Sequence, residues 1–330
     1  MPRHSRTHQR PNRQNRPSRS GRSTGGERDE RRTGGAPRAR SERRNGNGAG
    51  EPNHAGIHLL RDPAVSARMV RSSGAGPGDL VMELGAGLGA LTAPLAATGA
   101  RVIAVERDPR FVAKLERRFA GIGEVRVVEA DARSVMLPRR PYAVVANIPY
   151  AISTALLRRL LDPEATSVEA ADLLVEWGFA KRMTDARPRD LEVAWWQARF
   201  ELSIAARVRP GSFRPAPSVD SAHLVIRRRA DVSRPQARLA RKLLQDAYRA
   251  PRRPVREVLG AHVPKKRAHR LLTSTGIDPP VVAGTIPTTT WLALAGELTA
   301  DAADAGRTAP ADDRRRPRPS SPARTPAEER

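Results

Sequence analysis

The chain has 330 residues and a net charge of +24, with 54 arginines, five lysines and no cysteine. Its length suffices for one full α/β domain and a smaller second domain, and the lack of cysteine excludes disulfides, thiolate metal sites and cysteine nucleophiles. No apolar run approaches the roughly 18 residues of a membrane span, and no apolar segment follows the basic N-terminus as in a signal peptide. We therefore expect a cytoplasmic protein with no membrane-embedded part.

The positive charge is present in the middle of the chain as well as at its ends. Residues 1–50 carry 14 arginines against four acidic residues, residues 301–330 carry seven against six, and residues 51–300 keep +13. Both ends are rich in Gly, Pro, Ser and Arg, which predicts a disordered arm over 1–55 and a disordered tail over 301–330. A transit peptide is an alternative for the arm, although its Gly and Pro content disfavours an amphipathic helix. The basic middle indicates a polyanionic partner such as nucleic acid.

Strand and helix patterns alternate from Gly56 to about residue 228. Strands are predicted over Asp79–Leu84, Arg101–Glu106, Val125–Asp131, Tyr142–Ala146, Ala171–Val175, Phe200–Val208 and His223–Arg227. Helices are predicted over Ala64–Arg71, Ala90–Ala97, Pro109–Ala120, Ile152–Leu161 and Phe179–Met183. The alternation predicts an α/β catalytic domain over 56–228, with a mainly parallel, doubly wound sheet.

Residues 229–300 follow a helical pattern only. Ser233 is placed to cap a helix with Pro235 in its first turn. One face of that helix is apolar and consists of Leu239, Leu243, Leu244 and Ala247. Shorter helical patterns follow at 255–259, 267–272 and 291–298. This region is predicted to be a small, basic, all-helical second domain.

A glycine-rich turn, Gly85-Ala86-Gly87-Leu88-Gly89, follows the first predicted strand of the sheet. Such glycines let the backbone turn tightly and approach a ligand closely. Glu106 ends the next strand, 21 residues after Gly85, and suits bidentate hydrogen bonding to ribose hydroxyls. These features alone serve NAD and S-adenosylmethionine equally well.

Asp131 ends the third predicted strand. Its carboxylate can accept from the amino group of an adenine whose ring lies on apolar surface such as Ile103 or Val105. The alternative is that Asp131 only caps the turn that follows.

The stretch Asn147-Ile148-Pro149-Tyr150 ends the fourth strand. Pro149 has no N–H and favours an extended Ile148, so the Asn147 amide oxygen and the Ile148 carbonyl can point out of the sheet together. These two acceptors suit the two hydrogens of an exocyclic amino group, and the ring of Tyr150 can stack on the heterocycle. The alternative is a strand that ends in a proline turn, with Tyr150 in the core.

Together these motifs resemble the rRNA adenine N6-methyltransferases, which include the Erm macrolide-resistance enzymes and the KsgA-type dimethyltransferases. The matching stretches are Glu83–Gly89, Glu106, Glu129–Asp131, Asn147–Tyr150 and Phe213–Ser221. Ile148, where KsgA-type members usually have Leu, and the arginine-rich ends make the chain more similar to Erm. One difference is Ile57-His58-Leu59, where the family usually has Gln-Asn-Phe or Gln-His-Phe.

The resemblance implies a Rossmann-like, class I methyltransferase that uses S-adenosylmethionine to methylate N6 of an adenine in 23S rRNA, conferring macrolide, lincosamide and streptogramin B resistance. Phe213 resembles the aromatic that closes over the target base; the alternative is a buried residue that anchors its loop. The implied catalytic residues are Asn147, Ile148, Pro149, Tyr150 and Phe213. The implied cofactor-binding residues are His58, Leu60, Glu83, Gly85, Ala86, Gly87, Glu106, Arg107, Asp131, Ala132 and Asn147.

The expected partner is RNA with the target adenine flipped out of its stack, bound by a monomer before the ribosome is fully assembled. Arg158, Arg159, Lys181 and Arg182 are expected to contact phosphates, together with the basic arm and the helical domain over 229–300, which is thus expected to bind RNA. The chemistry requires no metal, and the sequence offers no convincing site for one. The alternatives are a KsgA-like enzyme acting on 16S rRNA, a non-catalytic RNA-binding or assembly factor, and an NAD oxidoreductase.

Overall fold

The computed structural model describes residues 56–163 and 166–307, with side chains as far as residue 300. The predicted disorder of the arm over 1–55 falls outside the described residues. The last helix extends to Arg307, seven residues into the predicted tail, and the remainder of that tail is likewise outside the description.

The element boundaries agree closely with those predicted over most of the chain. The strands are β1 (Leu59–Leu60), β2 (Leu80–Leu84), β3 (Arg101–Glu106), β4 (Val125–Glu129), β5 (Tyr142–Asn147), β6 (Val168–Glu176), β7 (Phe200–Val208), β8 (Phe213–Arg214) and β9 (Ser221–Arg228). The α-helices are α1 (Pro63–Ser73), α2 (Thr92–Ala96), α3 (Pro109–Arg118), α4 (Ser153–Leu161), α5 (Trp177–Met183), α6 (Leu191–Arg199), α7 (Arg234–Arg249), α8 (Val255–Gly260), α9 (Lys265–Ser274) and α10 (Thr288–Arg307).

Within these ranges, seven strands form one sheet in the order β4-β3-β2-β5-β6-β9-β7. The strands from β4 to β6 are parallel to their neighbours, and β9 and β7 are antiparallel. This confirms the predicted α/β fold with a mainly parallel sheet. The strand order reverses between β2 and β5, because β3 and β4 lie on one side of β2 and β6 lies beyond β5. In open α/β sheets, ligands bind outside the carboxyl ends of the strands at this switch point.

Local sequence explains where two of the helices around this sheet begin. Asp62 and Asp108 each stand immediately before a proline, and their carboxylates accept backbone N–H groups in the first turns of α1 and α3. An N-cap carboxylate followed by proline at the first helical position is a strong helix start signal. All five residues of β2 are buried, as expected of an inner parallel strand with both faces covered.

Two parts of the fold were not predicted. Helix α6 has seven of its nine residues buried, from Val193 to Arg199, so it shows no polar face from which a helical period could be read. Strands β1 and β8 pair in an antiparallel sheet of two residues each, too short to produce an alternating pattern.

The C-terminal helices pack against the α/β part through α6, which contacts both α7 and α10. Ser233 caps α7 as predicted, accepting from the Gln236 backbone N–H at 3.2 Å. One continuous hydrophobic cluster contains Leu224 in the sheet together with Leu243 and Trp291 in the helices. The division into a catalytic and an RNA-binding domain at residue 228 stays a prediction. Across the described ranges, each helix is too short or too polar to cross a membrane.

Candidate active-site cleft

A cleft opens at the carboxyl edge of the sheet, at the switch point between β2 and β5. Its wall is built by the segment before β1, the glycine-rich turn after β2, the ends of β3 and β4, and the residues after β5. The predicted site residues that line it are His58, Gly85, Gly87, Glu106, Arg107, Asp131, Ala132, Asn147, Ile148, Pro149 and Tyr150. Residues separated by up to 92 positions in the chain thus meet around one cavity, as the motif analysis expected.

The glycine-rich turn brings the backbone to the floor of the cleft. Gly85 and Gly87 have positive φ values of 82° and 56°, a conformation that costs an L side chain about 1–2 kcal/mol. The N–H groups of Gly85 and Ala86 donate to the Val105 carbonyl at 2.9 and 3.0 Å. A Cβ at Gly87 would lie 3.0 Å from Leu59 Cδ2, so a side chain there would require Leu59 to shift as well as a strained backbone conformation.

Glu106 is held at the end of β3 by three backbone N–H groups. Gly87 donates to Oε2 at 2.8 Å, and Arg107 and Asp108 donate to Oε1 at 2.8 and 2.9 Å. A carboxylate has about four lone-pair sites, so one site on Oε2 is left for a ligand. This arrangement lets Oε2 accept from a ribose hydroxyl, and the bidentate contact with both hydroxyls stays a prediction.

Asp131 is paired with Arg133, a cleft residue that the motif analysis missed. The Arg133 backbone N–H donates to Asp131 Oδ1 at 2.8 Å, and its Nη2 donates to Oδ2 at 2.6 Å. These hydrogen bonds lower the pKa of Asp131 to about 2, so the carboxylate is ionised and remains an acceptor. The predicted turn cap is therefore present, and an adenine amino group would share Asp131 with Arg133.

Asn147 has its amide orientation set by the segment before β1. Its Nδ2 donates to the His58 carbonyl at 2.6 Å. Because a carbonyl only accepts hydrogen bonds, the nitrogen must face His58 and the Oδ1 atom must face the other way. The next residue, Ile148, donates its N–H to Leu174 at 3.1 Å, and no donor in the described part of the chain bonds to its carbonyl.

Tyr150 stands beside these two acceptors. Its hydroxyl bonds to Ser221 Oγ at 2.7 Å, and its ring centroid lies 5.8 Å from that of His58, at an interplanar angle of 33°. Burial raises the pKa of Tyr150 above its usual value near 10, so the hydroxyl stays neutral and keeps its hydrogen bond at physiological pH.

Four predicted site residues are not among those that line the cleft, and their side chains are buried. Phe213 is 1% exposed and pairs with Leu60 across β1 and β8, in a hydrophobic cluster beside the sheet. It thus takes the alternative role of a residue that anchors its loop. Ala86 packs in a small cluster with Leu115, because its side chain points away from the turn's ligand-facing side.

Glu83 is the fourth residue away from the cleft. It is 1% exposed and accepts from Thr92 Oγ1 at 2.5 Å, so its side chain faces α2 and not the ligand side. Burial raises its pKa to about 8, and the carboxyl is therefore mainly protonated at neutral pH. Its contribution is to the packing beneath the glycine-rich turn.

Two of the four predicted phosphate-binding residues are engaged within the protein. Arg159 donates to the Ala132 carbonyl at 2.9 Å and to the Val135 carbonyl, which ties α4 to the loop after β4. Arg158 pairs with Glu192 at 2.6 Å. Lys181 and Arg182 are exposed at the end of α5 and stay candidates for phosphate contact.

Comparison with known proteins places these motifs in a family context. Residues 53–300 match the family model described as ribosomal RNA adenine dimethylase. The chain is 32% identical over 251 residues to an rRNA adenine N-6-methyltransferase of Bacillus licheniformis, covering 75% of this chain and 87% of that protein.

A second relative and a solved structure extend the match. Ribosomal RNA small subunit methyltransferase A of Synechococcus sp. (strain JA-3-3Ab) is 32% identical over 257 residues, 74% of this chain and 91% of that protein. The crystal structure of the 23S rRNA methyltransferase ErmE superposes with a TM-score of 0.64 at 28% identity, covering 73% of this chain and 99% of that one.

Proposed function

The chain belongs to the ribosomal RNA adenine dimethylase family and is an S-adenosylmethionine-dependent rRNA adenine N6-methyltransferase, and from this we propose that its target is an adenine of 23S rRNA. Methylation there would confer resistance to macrolides, lincosamides and streptogramin B. The similarity to ErmE, Ile148 in place of leucine and the arginine-rich ends support this choice.

The observation that carries the chemistry is the orientation of Asn147. With its amide nitrogen bonded to the His58 carbonyl, its oxygen and the neighbouring Ile148 carbonyl are two acceptors without protein donors among the described residues. The lone pair of an adenine amino group is delocalised into the ring. Two acceptors that take both N6 hydrogens localise this lone pair and direct it towards the methyl group to be transferred.

These groups act by positioning and by electrostatic stabilisation. N6 becomes positive during transfer, and two oxygen atoms fixed against it stabilise that charge without reorganisation. Tyr150, with its hydroxyl held, presents a ring on which a flipped base can stack. No strong base is required, because the methylated ammonium is acidic and loses its proton to water.

The residues around the cleft fit S-adenosylmethionine, which supplies a methyl group already activated on a sulfonium. The turn at Gly87 lets a ligand approach the backbone closely, the free lone-pair site of Glu106 suits a ribose hydroxyl, and Asp131 suits an adenine amino group beside apolar Val105. Arg133 and Arg159 would act indirectly, by holding Asp131 and its loop in place.

The substrate would be bound by charge outside the cleft. Lys181 and Arg182, the basic residues of α7 to α9 and the arm over 1–50 are proposed to contact RNA phosphates, without reading sequence. We expect a monomer that acts in the cytoplasm on 23S rRNA before assembly is complete.

The second candidate is methylation of small-subunit rRNA, favoured by the equal identity to the Synechococcus enzyme. Primer extension separates the two. Unmodified 16S and 23S rRNA are incubated together with the protein and cofactor, and reverse transcription is expected to stop at one adenine of 23S rRNA only. A stop confined to 16S rRNA would replace the proposal with the second candidate.

The resistance phenotype is tested separately in a sensitive host. Expression of the wild-type chain should raise the inhibitory concentration of a macrolide, a lincosamide and a streptogramin B. The Asn147→Ala variant, expressed at the same level, is the control and should give no protection. Equal protection by both chains would show that transfer at this cleft is not the cause.

A further inference from the structure

The proline-rich loop (residues 213–221) has no role in the mechanism above, because Phe213 lies in the core. Its two ends nevertheless touch the two sides of the proposed target-base site. One end reaches Tyr150, and the other reaches the segment that orients Asn147. The inference below rests on the proposed function, since it gives Tyr150 a place against the target base.

Ser221 forms the contact at the C-terminal end of the loop. Its Oγ lies 2.7 Å from the Tyr150 hydroxyl, and its own side chain is fully buried. As the first residue of β9, it pairs with Glu176 on one side and Val208 on the other. Strands on both sides therefore hold Ser221 in place. Its hydrogen bond in turn restrains the half-buried Tyr150 at the edge of the cleft.

The N-terminal end of the loop is anchored independently. His58 Nδ1 donates to the Pro215 carbonyl at 2.8 Å, and Arg61 donates its backbone N–H to Ser212 at 2.8 Å. The pairing of β1 with β8 lies between these two contacts. Since the His58 carbonyl also receives the Asn147 amide, this end of the loop is joined to the acceptor side of the site.

We propose that Ser221 is a positioning residue for methyl transfer: its hydroxyl holds the Tyr150 ring in the orientation that receives the target adenine, with the proline-rich loop anchored at its other end through His58. The hydroxyl of Tyr150 faces the protein and not the base. Its role is therefore to set the angle of the ring, and removal of either partner should have the same effect.

The test is a double-mutant cycle of Ser221→Ala and Tyr150→Phe. Total ribosomal RNA containing unmodified 16S and 23S is the substrate, and kcat, KM for RNA and Kd for S-adenosylmethionine are measured. Each single variant should lower kcat about three- to tenfold, the effect of one hydrogen bond, while Kd for the cofactor is unchanged. The double variant should be no slower than Tyr150→Phe, because both changes remove one interaction.

Ser218→Ala is the matched control, since it makes the same change at an exposed position of the same loop. It should retain wild-type kcat. Thermal unfolding is measured for all variants, so that a loss of folded protein is separated from slower transfer. Full activity of Ser221→Ala, or single effects that multiply in the double variant, would overturn the proposal.

The RNA mixture separates this inference from the proposed function. Methylation confined to 16S rRNA would reject the 23S target, yet the cycle would still report on Ser221 with that substrate. Methylation of 23S rRNA with a multiplicative cycle would reject the positioning role alone.

Discussion

Glu83 makes the stability of this protein depend on pH in a way that one substitution should remove. Burial is the main cause of its raised pKa, nearby Glu106 adds to the effect, and the hydrogen bond from Thr92 opposes it. The pKa rises from 4.5 to about 8 on folding, so the folded chain binds a proton that the unfolded chain has lost. Stability due to this group is present below about pH 4.5 and is lost as pH rises to about 8.

The magnitude follows from the two pKa values. Between pH 5 and pH 8, the linkage costs the wild-type chain roughly 3–4 kcal/mol of unfolding free energy, at 1.36 kcal/mol per pKa unit. Glu83→Gln keeps an acceptor for Thr92 but does not titrate. The stability of the variant relative to wild type should therefore rise by roughly that amount from pH 5 to pH 8.

Urea unfolding of both chains at pH 5, 6, 7 and 8 measures this difference, and contributions from all other titrating groups cancel. Glu129→Gln is the control, because it makes the same chemical change at an exposed strand end. A difference between Glu83→Gln and wild type that stays constant with pH would refute the reasoning. So would a variant that loses relative stability as pH rises.

Three further predictions concern the cleft and the arm. Asn147→Ala should lower kcat at least about 100-fold with cofactor affinity, measured by calorimetry, nearly unchanged; an active variant would remove the proposed pair of acceptors. Gly87→Ala should weaken cofactor binding about tenfold, because residue 87 has a positive φ and the added methyl group would contact Leu59. The control is Gly123→Ala, at an exposed glycine with open space around it, and this variant should bind the cofactor normally. Deletion of residues 1–50, which carry 14 arginines, should reduce the salt dependence of RNA affinity. Turnover on saturating RNA should be retained. An unchanged slope of log affinity against log salt concentration would contradict a phosphate-binding arm.

The parallel part of the fold was predictable because each of its strands carries a signal within a few residues. Tyr142–Asn147 is an apolar run followed by a proline turn, while β2 leads directly into the glycine-rich turn and β3 ends in Glu106. Helix α6 was not predictable, since it is buried on all sides. The guanidinium carbons of Arg199 and Arg241 lie 4.7 and 5.1 Å from the centre of the Trp195 ring, and a sequence pattern alone cannot show that two charged residues pack on one aromatic ring.

The site was predictable in its residue types and less so in their directions. Glu83 stands just before the glycine-rich turn, and Glu106 ends β3. The sequence predicts both as cofactor-binding residues, yet Glu83 faces α2 and Glu106 faces the cleft. In a strand, side chains alternate between the two faces of the sheet, and the face that becomes the ligand side depends on which helices cover the other. Phe213 was misplaced for a similar reason, because its partner, Leu60, lies 153 positions earlier in the chain.

The same reasoning applies to the chemistry proposed for Asn147. The sequence alone does not show whether the amide nitrogen or the amide oxygen of an asparagine at a strand end faces the ligand. Only the oxygen can accept an adenine amino hydrogen. The His58 carbonyl, 89 positions away, decides between them by taking the donor. A main-chain carbonyl performs this task whatever side chain position 58 carries, which explains how Ile57-His58-Leu59 can replace the usual residues while the acceptor stays in place. The decisive interaction is thus between a backbone atom and a side chain that no local motif connects.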